Sequence, residues 1–141
     1  MNRGVILYVE DEVNDVLLLS LAFESEGYPN LLASVVDGVE AIEYLAGEGR
    51  FADRLKHPFP DLLLLDLNLP KKSGFEVLEW ARGRPELASL PIVIFTSSQA
   101  EVDRNKAFKL GATDYIIKFS EFEDLAAFAR SLAQRHFSQI H

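Results

Sequence analysis

Five residues whose types could do chemistry together stand directly behind strand-length apolar runs. Glu10 and Asp11 follow Val5 to Val9, Asp66 follows Leu62 to Leu65, Thr96 follows Ile92 to Phe95, and Lys118 follows Tyr115 to Ile117. If these runs are neighbouring parallel strands, all five side chains share one sheet edge. Carboxylates that close repel one another by roughly 4 kcal/mol per pair at an effective dielectric of about 20, so the edge calls for a cation. Hard oxygen donors suit Mg2+, which keeps several waters and is commonly held by one or two carboxylates plus a phosphoryl oxygen. A carboxylate can itself be the nucleophile in phosphoryl transfer, with the metal, a lysine and a hydroxyl each taking one equatorial oxygen. Asp66, Lys118 and Thr96 fit the protein's share of that scheme, and four leucines ending in a carboxylate make poor surface decoration.

The elements that must position these residues are legible in outline. Five apolar runs, the four above and Leu31 to Val36, are of strand length, and helical patterning fills the stretches between and after them. Strands apolar on both faces and alternating with helices imply a (βα)5 chain with a five-stranded parallel sheet covered on both sides. Ser73 before Glu76, Ser98 before Glu101 and Ser120 before Glu123 have capping-box spacing, and Asp37 before Glu40 is a looser version; each marks a helix start. The segment 47–60 reads as a long loop broken by Gly47, Gly49, Pro58 and Pro60. Its Gly47-Glu48-Gly49-Arg50-Phe51-Ala52 formally matches a dinucleotide fingerprint, but it follows a helical stretch instead of joining a strand to a helix N-terminus, so no nucleotide site is expected.

Composition bounds the function from outside. The chain has 141 residues, 48% hydrophobic and 26% charged, which suits one domain, and a chain of this size buries about 70% of its unfolded surface without disulfides or structural zinc. It has no cysteine, which excludes thiol catalysis and Cys-ligated metals. A formal net charge of -8 opposes binding to nucleic acid or anionic membranes, so a protein partner is expected. Only five apolar residues precede Glu10 after Met1-Asn2-Arg3-Gly4, too few for a signal-peptide core, and the expected location is cytoplasmic. His57, His136 and His141 lack metal-ligand spacing and read as surface residues.

Taken in order, several segments resemble the receiver domains of two-component response regulators. They are Ile6-Leu7-Tyr8-Val9-Glu10-Asp11-Glu12, Asp37-Gly38-Val39-Glu40-Ala41, Pro60 through Pro70 followed by Ser73-Gly74-Phe75-Glu76, Pro91 through Ser98, and Gly111 through Lys118. The resemblance spans nearly the whole chain and implies a single receiver domain over 1–141 with a short C-terminal tail and no output domain. Its fold would be a flavodoxin-like three-layer α/β sandwich with strand order 2-1-3-4-5. It further implies Asp66 as phosphoacceptor, Glu10 and Asp11 as the acidic pair around Mg2+, and Asn68 lending its main-chain carbonyl to the metal. Thr96 would be the switch hydroxyl, Lys118 the phosphate-pairing lysine, and Tyr115 the aromatic whose rotamer tracks Thr96. Pro70 and Gly74 would shape the turn beside the site. The 47–60 insertion, Asp66 through Gly74 and Thr96 through Glu101 look most like stand-alone regulators paired with phytochrome-type histidine kinases. One departure is plain: Phe119 follows Lys118 where the family usually has proline, so a trans bond and a shifted loop are expected there.

Two faces look available to partners. The first helix is apolar at Val13, Val16, Leu17, Leu18, Leu19, Leu21, Ala22 and Phe23, more than one sheet face can cover, and Leu18 is the residue chosen there for contact with a kinase or phosphotransfer protein. On the last helix Phe122, Leu125, Ala126, Ala129, Leu132 and Ala133 form a core stripe, leaving Phe128 as a candidate homodimer contact on the helix-4, strand-5, helix-5 face. An aspartate-nucleophile phosphatase would need a second aspartate two residues after the first, and Asn68 stands there instead. A flavin or nucleotide binder on the same fold lacks any P-loop, and an unphosphorylated scaffold has only Phe119 in its favour.

Overall fold

Runs such as Leu62 to Leu65 offer no polar face to water, so helices must cover both sides of the strands they form. A computed structural model, which describes the backbone of residues 4–140 and the side chains of residues 4–135, has that arrangement. In chain order the elements are β1 (Ile6–Val9), α1 (Val13–Ser25), β2 (Leu32–Val35), α2 (Gly38–Ala46), β3 (Leu62–Leu65), α3 (Gly74–Arg82), β4 (Ile92–Thr96), α4 (Glu101–Lys109), β5 (Asp114–Ile117) and α5 (Phe122–Ile140). All strand pairs are parallel and the sheet order is β2-β1-β3-β4-β5. The fold is therefore the flavodoxin-like sandwich expected. Alternate residues of β1 and β3 serve opposite layers: Leu7, Val9, Leu63 and Leu65 pack with α2 and α3, while Ile6, Tyr8, Leu62 and Leu64 pack with α1 and α5.

Register carries the candidate residues to one edge. Val9 lies beside both Val35 and Leu65, Leu65 beside Ile94, and Thr96 beside Ile117. The ladder continues one residue further, with Glu10 N donating to Val35 O, Asp66 N to Val9 O and Lys118 N to Thr96 O. Glu10, Asp66 and Lys118 are thus fixed by sheet hydrogen bonds and not by loop conformation. The chain reverses direction of winding between β1 and β3, which opens the crevice into which Glu10 and Asp66 project.

Helix starts follow the sequence in two cases of four. Ser73 and Glu76 form a complete capping box on α3. Asp37 caps α2 through Glu40 N at 2.8 Å, while the Glu40 carboxylate accepts from Val36 N. At α4 the N-cap is Ala100: the Ser98 hydroxyl accepts from Ala100 N and donates to Asp103, so it folds the loop into the helix without capping it. α5 begins at Phe122, one residue later than a cap at Ser120 requires. The 47–60 segment is tied down more than a loop reading implies. Gly47 ends α2 at φ 69°, and the Arg54 guanidinium donates to the carbonyls of Tyr44, Leu45 and His57. Phe51 is buried against Tyr44 and His57, so His57 is half-buried in an aromatic cluster and not a plain surface residue. His141 and the His136 side chain lie outside the described residues.

The aromatic assignments on α5 reverse. Phe128, expected outside the core, stacks on Phe95 at 4.8 Å and meets Phe119 at 5.5 Å. Phe122, expected inside, is 44% exposed. The cause is Phe119, whose ring folds back over Phe95 at the end of β4 and gives Phe128 an apolar seat that a helix-wheel count cannot see. The peptide bond between Lys118 and Phe119 is trans, as expected. α1 keeps its surplus: Val13, Leu17, Leu18 and Leu21 are all exposed.

Candidate functional site

Asp66 directly follows β3, with both carboxylate oxygens engaged. Oδ1 accepts from the Thr96 hydroxyl at 2.8 Å and from Asn68 N at 3.2 Å, and Oδ2 accepts from Lys118 Nζ at 2.8 Å. Thr96 is fully buried and Asp66 is 4% exposed, so these bonds act in a low-dielectric setting. Gly74 is required at the neighbouring helix start, because a Cβ there would strike the Asp66 carbonyl oxygen and lie 2.7 Å from Leu67 Cα. Gly38 plays the same part against the Lys72 carbonyl, which locks the β3–α3 loop onto the start of α2.

Glu10, 1% exposed, accepts from Lys118 Nζ at 2.6 Å, from the Tyr8 hydroxyl and from Glu12 N. Burial, together with the adjoining Asp66 carboxylate, pushes the Glu10 carboxyl up to about 7. For Asp66, burial acts upward but is outweighed by the hydrogen bond from Glu10 and by Lys118, and its carboxyl sits below the usual range. Of the two, Glu10 is the one whose surroundings favour the protonated form, while Asp66 is held toward ionisation. Burial alone would lower Lys118, yet the bonds to Asp15, Asp66 and Glu10 raise it, so it is a permanent cation here. Tyr8 stays a neutral phenol, raised by burial and by the nearby carboxylates.

The structure brings Glu10, Asp66, Thr96 and Lys118 together in one bonded cluster. Asp11 stands apart: it is exposed and lines a groove of about 360 Å3 with Glu10, Val13, Leu17 and Val36. Asn68 is bonded through its main-chain N–H. Tyr115 is buried, its hydroxyl donating to the Ser98 carbonyl at 3.0 Å, and the Arg104 guanidinium lies over its ring. One participant was missed. Asp15, in the first turn of α1, accepts from Lys118 Nζ at 2.8 Å. A carboxylate one helical turn after Asp11, on a helix otherwise apolar nearly all round, was the available signal.

The donor set fits a hard divalent cation. Three carboxylates, Glu10, Asp66 and Asp15, converge on the single Lys118 ammonium, two of them buried, so the cluster is short of positive charge and its free lone pairs are all on oxygen. Among the described residues no three His, Cys, Asp or Glu side chains form a metal cage, so a cation here would draw its other ligands from main chain and water.

Residues 6–130 match the family model of the response regulator receiver domain, and the chain belongs to that family of two-component phosphoacceptor signalling domains. It is 36% identical over 121 residues to the response regulator Rcp1 of Synechocystis sp., covering 86% of this chain and 80% of that one. Among solved structures, the phosphorylated cyanobacterial phytochrome response regulator RcpA superposes with a TM-score of 0.83 at 35% identity, covering 93% of this chain and 91% of that one. The Mn2+-bound form of Rcp1 superposes with a TM-score of 0.80 at 33% identity, covering 92% and 91%. Among the described residues no helix is long and apolar enough to cross a membrane.

Proposed function

We propose that this chain is a phosphoryl-accepting switch that takes its phosphoryl group from a sensor histidine kinase, of the phytochrome type, or from a phosphotransfer protein, onto Asp66 with Mg2+. The observation that carries this is the Asp66 carboxylate, buried at a strand end and held ionised by Thr96, Asn68 N–H and Lys118. Mn2+ in the structure of Rcp1 and the phosphorylated state of RcpA, both relatives, support the same reading.

Glu10 and Asp66 would hold the metal, with Asp11 at the rim and the Asn68 carbonyl completing the protein's share. The cation would supply charge neutralisation on one phosphoryl oxygen. An Asp66 oxygen attacks phosphorus in line, the bond from phosphorus to the donor nitrogen or oxygen breaks, and its electron pair leaves with the donor. Lys118 and Thr96 then turn from Asp66 to two phosphoryl oxygens as dianionic charge arrives. Thr96 begins the β4–α4 connection, and the Ser98 carbonyl in that connection holds Tyr115. Movement of Thr96 toward phosphate therefore passes to Tyr115, to Arg104 above it, and to the α4–β5–α5 face, where a downstream protein or a second copy docks. Phe128 is too engaged with Phe95 to be the dimer contact; Val102 and Phe108 on α4 are exposed and take its place. The reading makes the chain a cytoplasmic switch with no turnover chemistry beyond its own slow dephosphorylation, and with output through protein and not DNA.

The test is intact-mass spectrometry after incubation with Mg2+ and acetyl phosphate. The expected result is one added phosphoryl group, absent from Asp66→Asn and prevented by chelator. A parent chain that binds Mg2+ yet gains no mass would overturn the proposal.

A further inference from the structure

An ammonium group has three N–H donors, and in Lys118 each is given to a different carboxylate: Glu10 at 2.6 Å, Asp15 at 2.8 Å and Asp66 at 2.8 Å. On the proposed function, which this inference takes as its starting point, two of those three have other duties. Glu10 is wanted by the metal, and Asp66 by both metal and phosphoryl group. Asp15 alone has none. It also comes from a different element, since Glu10 and Asp66 directly follow strands whereas Asp15 hangs from the first turn of α1.

The sheet makes such an anchor necessary. β5 is separated from β3 by β4, so the backbones at Lys118 and Asp66 stand about two strand spacings, roughly 10 Å, apart, and Lys118 must extend its side chain toward Asp66 to serve it. A cavity of about 30 Å3, room for about one water, lies beside the side chain between Tyr8, Asp15, Leu18 and Phe119, so Asp15 and Lys118 face the same small void. We propose that Asp15 is a positioning residue: the carboxylate that keeps the Lys118 ammonium over the acceptor once Glu10 and Asp66 are engaged elsewhere. It acts through Lys118 and touches neither phosphoryl group nor metal.

Two measurements test this. In the first, the acetylation rate of Lys118 by a small amine-reactive ester is followed by peptide mass spectrometry with and without Mg2+, the chain's five other lysines serving as references. In the parent chain Lys118 stays protected in both conditions. In Asp15→Asn, Mg2+ raises its labelling by about fivefold, the loss of one partly exposed ion pair. In the second, phosphorylation by acetyl phosphate slows by about fivefold in Asp15→Asn, recovers in Asp15→Glu, and is unaffected by Asp15→Asn in a Lys118→Ala background. Equal labelling in parent and variant overturns the proposal, as does the same slowing with Lys118 absent, which would make Asp15 merely structural. Unchanged urea midpoints separate these outcomes from misfolding. If the parent takes no phosphoryl group, the proposed function fails, while the labelling arm still judges Asp15.

Discussion

Glu10 gives the site its pH dependence. With its carboxyl near 7 instead of the ordinary 4.5, the metal-free site carries a proton that a divalent cation must displace. Mg2+ affinity is therefore expected to rise by up to about tenfold per pH unit below 7 and to level off above it, as titration calorimetry from pH 5.5 to 8.5 would read. A pH-independent affinity would contradict the raised Glu10 carboxyl. The same shift sets a stability trend in the metal-free protein. Between 4.5 and about 7 the folded chain binds more protons at Glu10 than the unfolded chain. This group's contribution is thus complete below 4.5 and is lost as pH rises through 7. Asp66, lowered, works oppositely: its contribution is present above 3.8 and lost as pH falls through its depressed folded value. Urea unfolding of Glu10→Gln should lack the decline between 4.5 and 7.

At the scale of elements, the β3–α3 connection and α1 do different work. Gly74 brings the start of α3 against the Asp66 main chain with no room for a methyl group. Gly74→Ala is expected to cost roughly 1–3 kcal/mol in urea unfolding and to slow acetyl phosphate labelling, because the loop that orients Asn68 must retreat. α1 instead presents Val13, Leu17 and Leu21 at successive turns as an exposed apolar stripe beside the groove that Glu10 and Asp11 line. Leu18, expected from the sequence to meet a partner, also lines the cavity at Lys118, so a charge there would disturb the site itself. Leu21→Glu is the cleaner probe: transfer from a histidine kinase should fall about tenfold, the worth of one modest anchor, while acetyl phosphate labelling stays unchanged. Equal loss with both donors would count against a docking role for this helix.

For the whole molecule, signalling requires that charge added at one sheet edge alter a distant face. The covalent and bonded route is short: Thr96 on β4, Ser98 in the following loop, Tyr115 on β5 and Arg104 on α4. A phosphoryl analogue bound at Asp66 should accordingly tighten self-association through Val102 and Phe108. Sedimentation velocity would show a larger species that Val102→Glu removes. A monomer at every concentration, with and without the analogue, would leave the face to a heterologous partner.

The alternation of strands and helices and the placing of Glu10, Asp66, Thr96 and Lys118 at strand ends were legible in the sequence because each rests on a local pattern, whereas the sheet order came only from the resemblance to receiver domains. Apolar runs ending in a polar residue fix both the strand and the place where its side chain emerges, and parallel pairing then aligns the ends. What the tertiary structure decided lay between elements. Phe128 found Phe95 and Phe119 across a loop and a strand, so its helical phase gave the wrong exposure. Phe51 and His57 closed over Tyr44, turning an apparent loop into a packed flap. Asp15 met Lys118 over a separation of 103 residues, through a side chain crossing the sheet edge. Periodicity reports how a residue faces its own element, but which distant side chain arrives there depends on how layers pack, and that is settled only when the chain is folded.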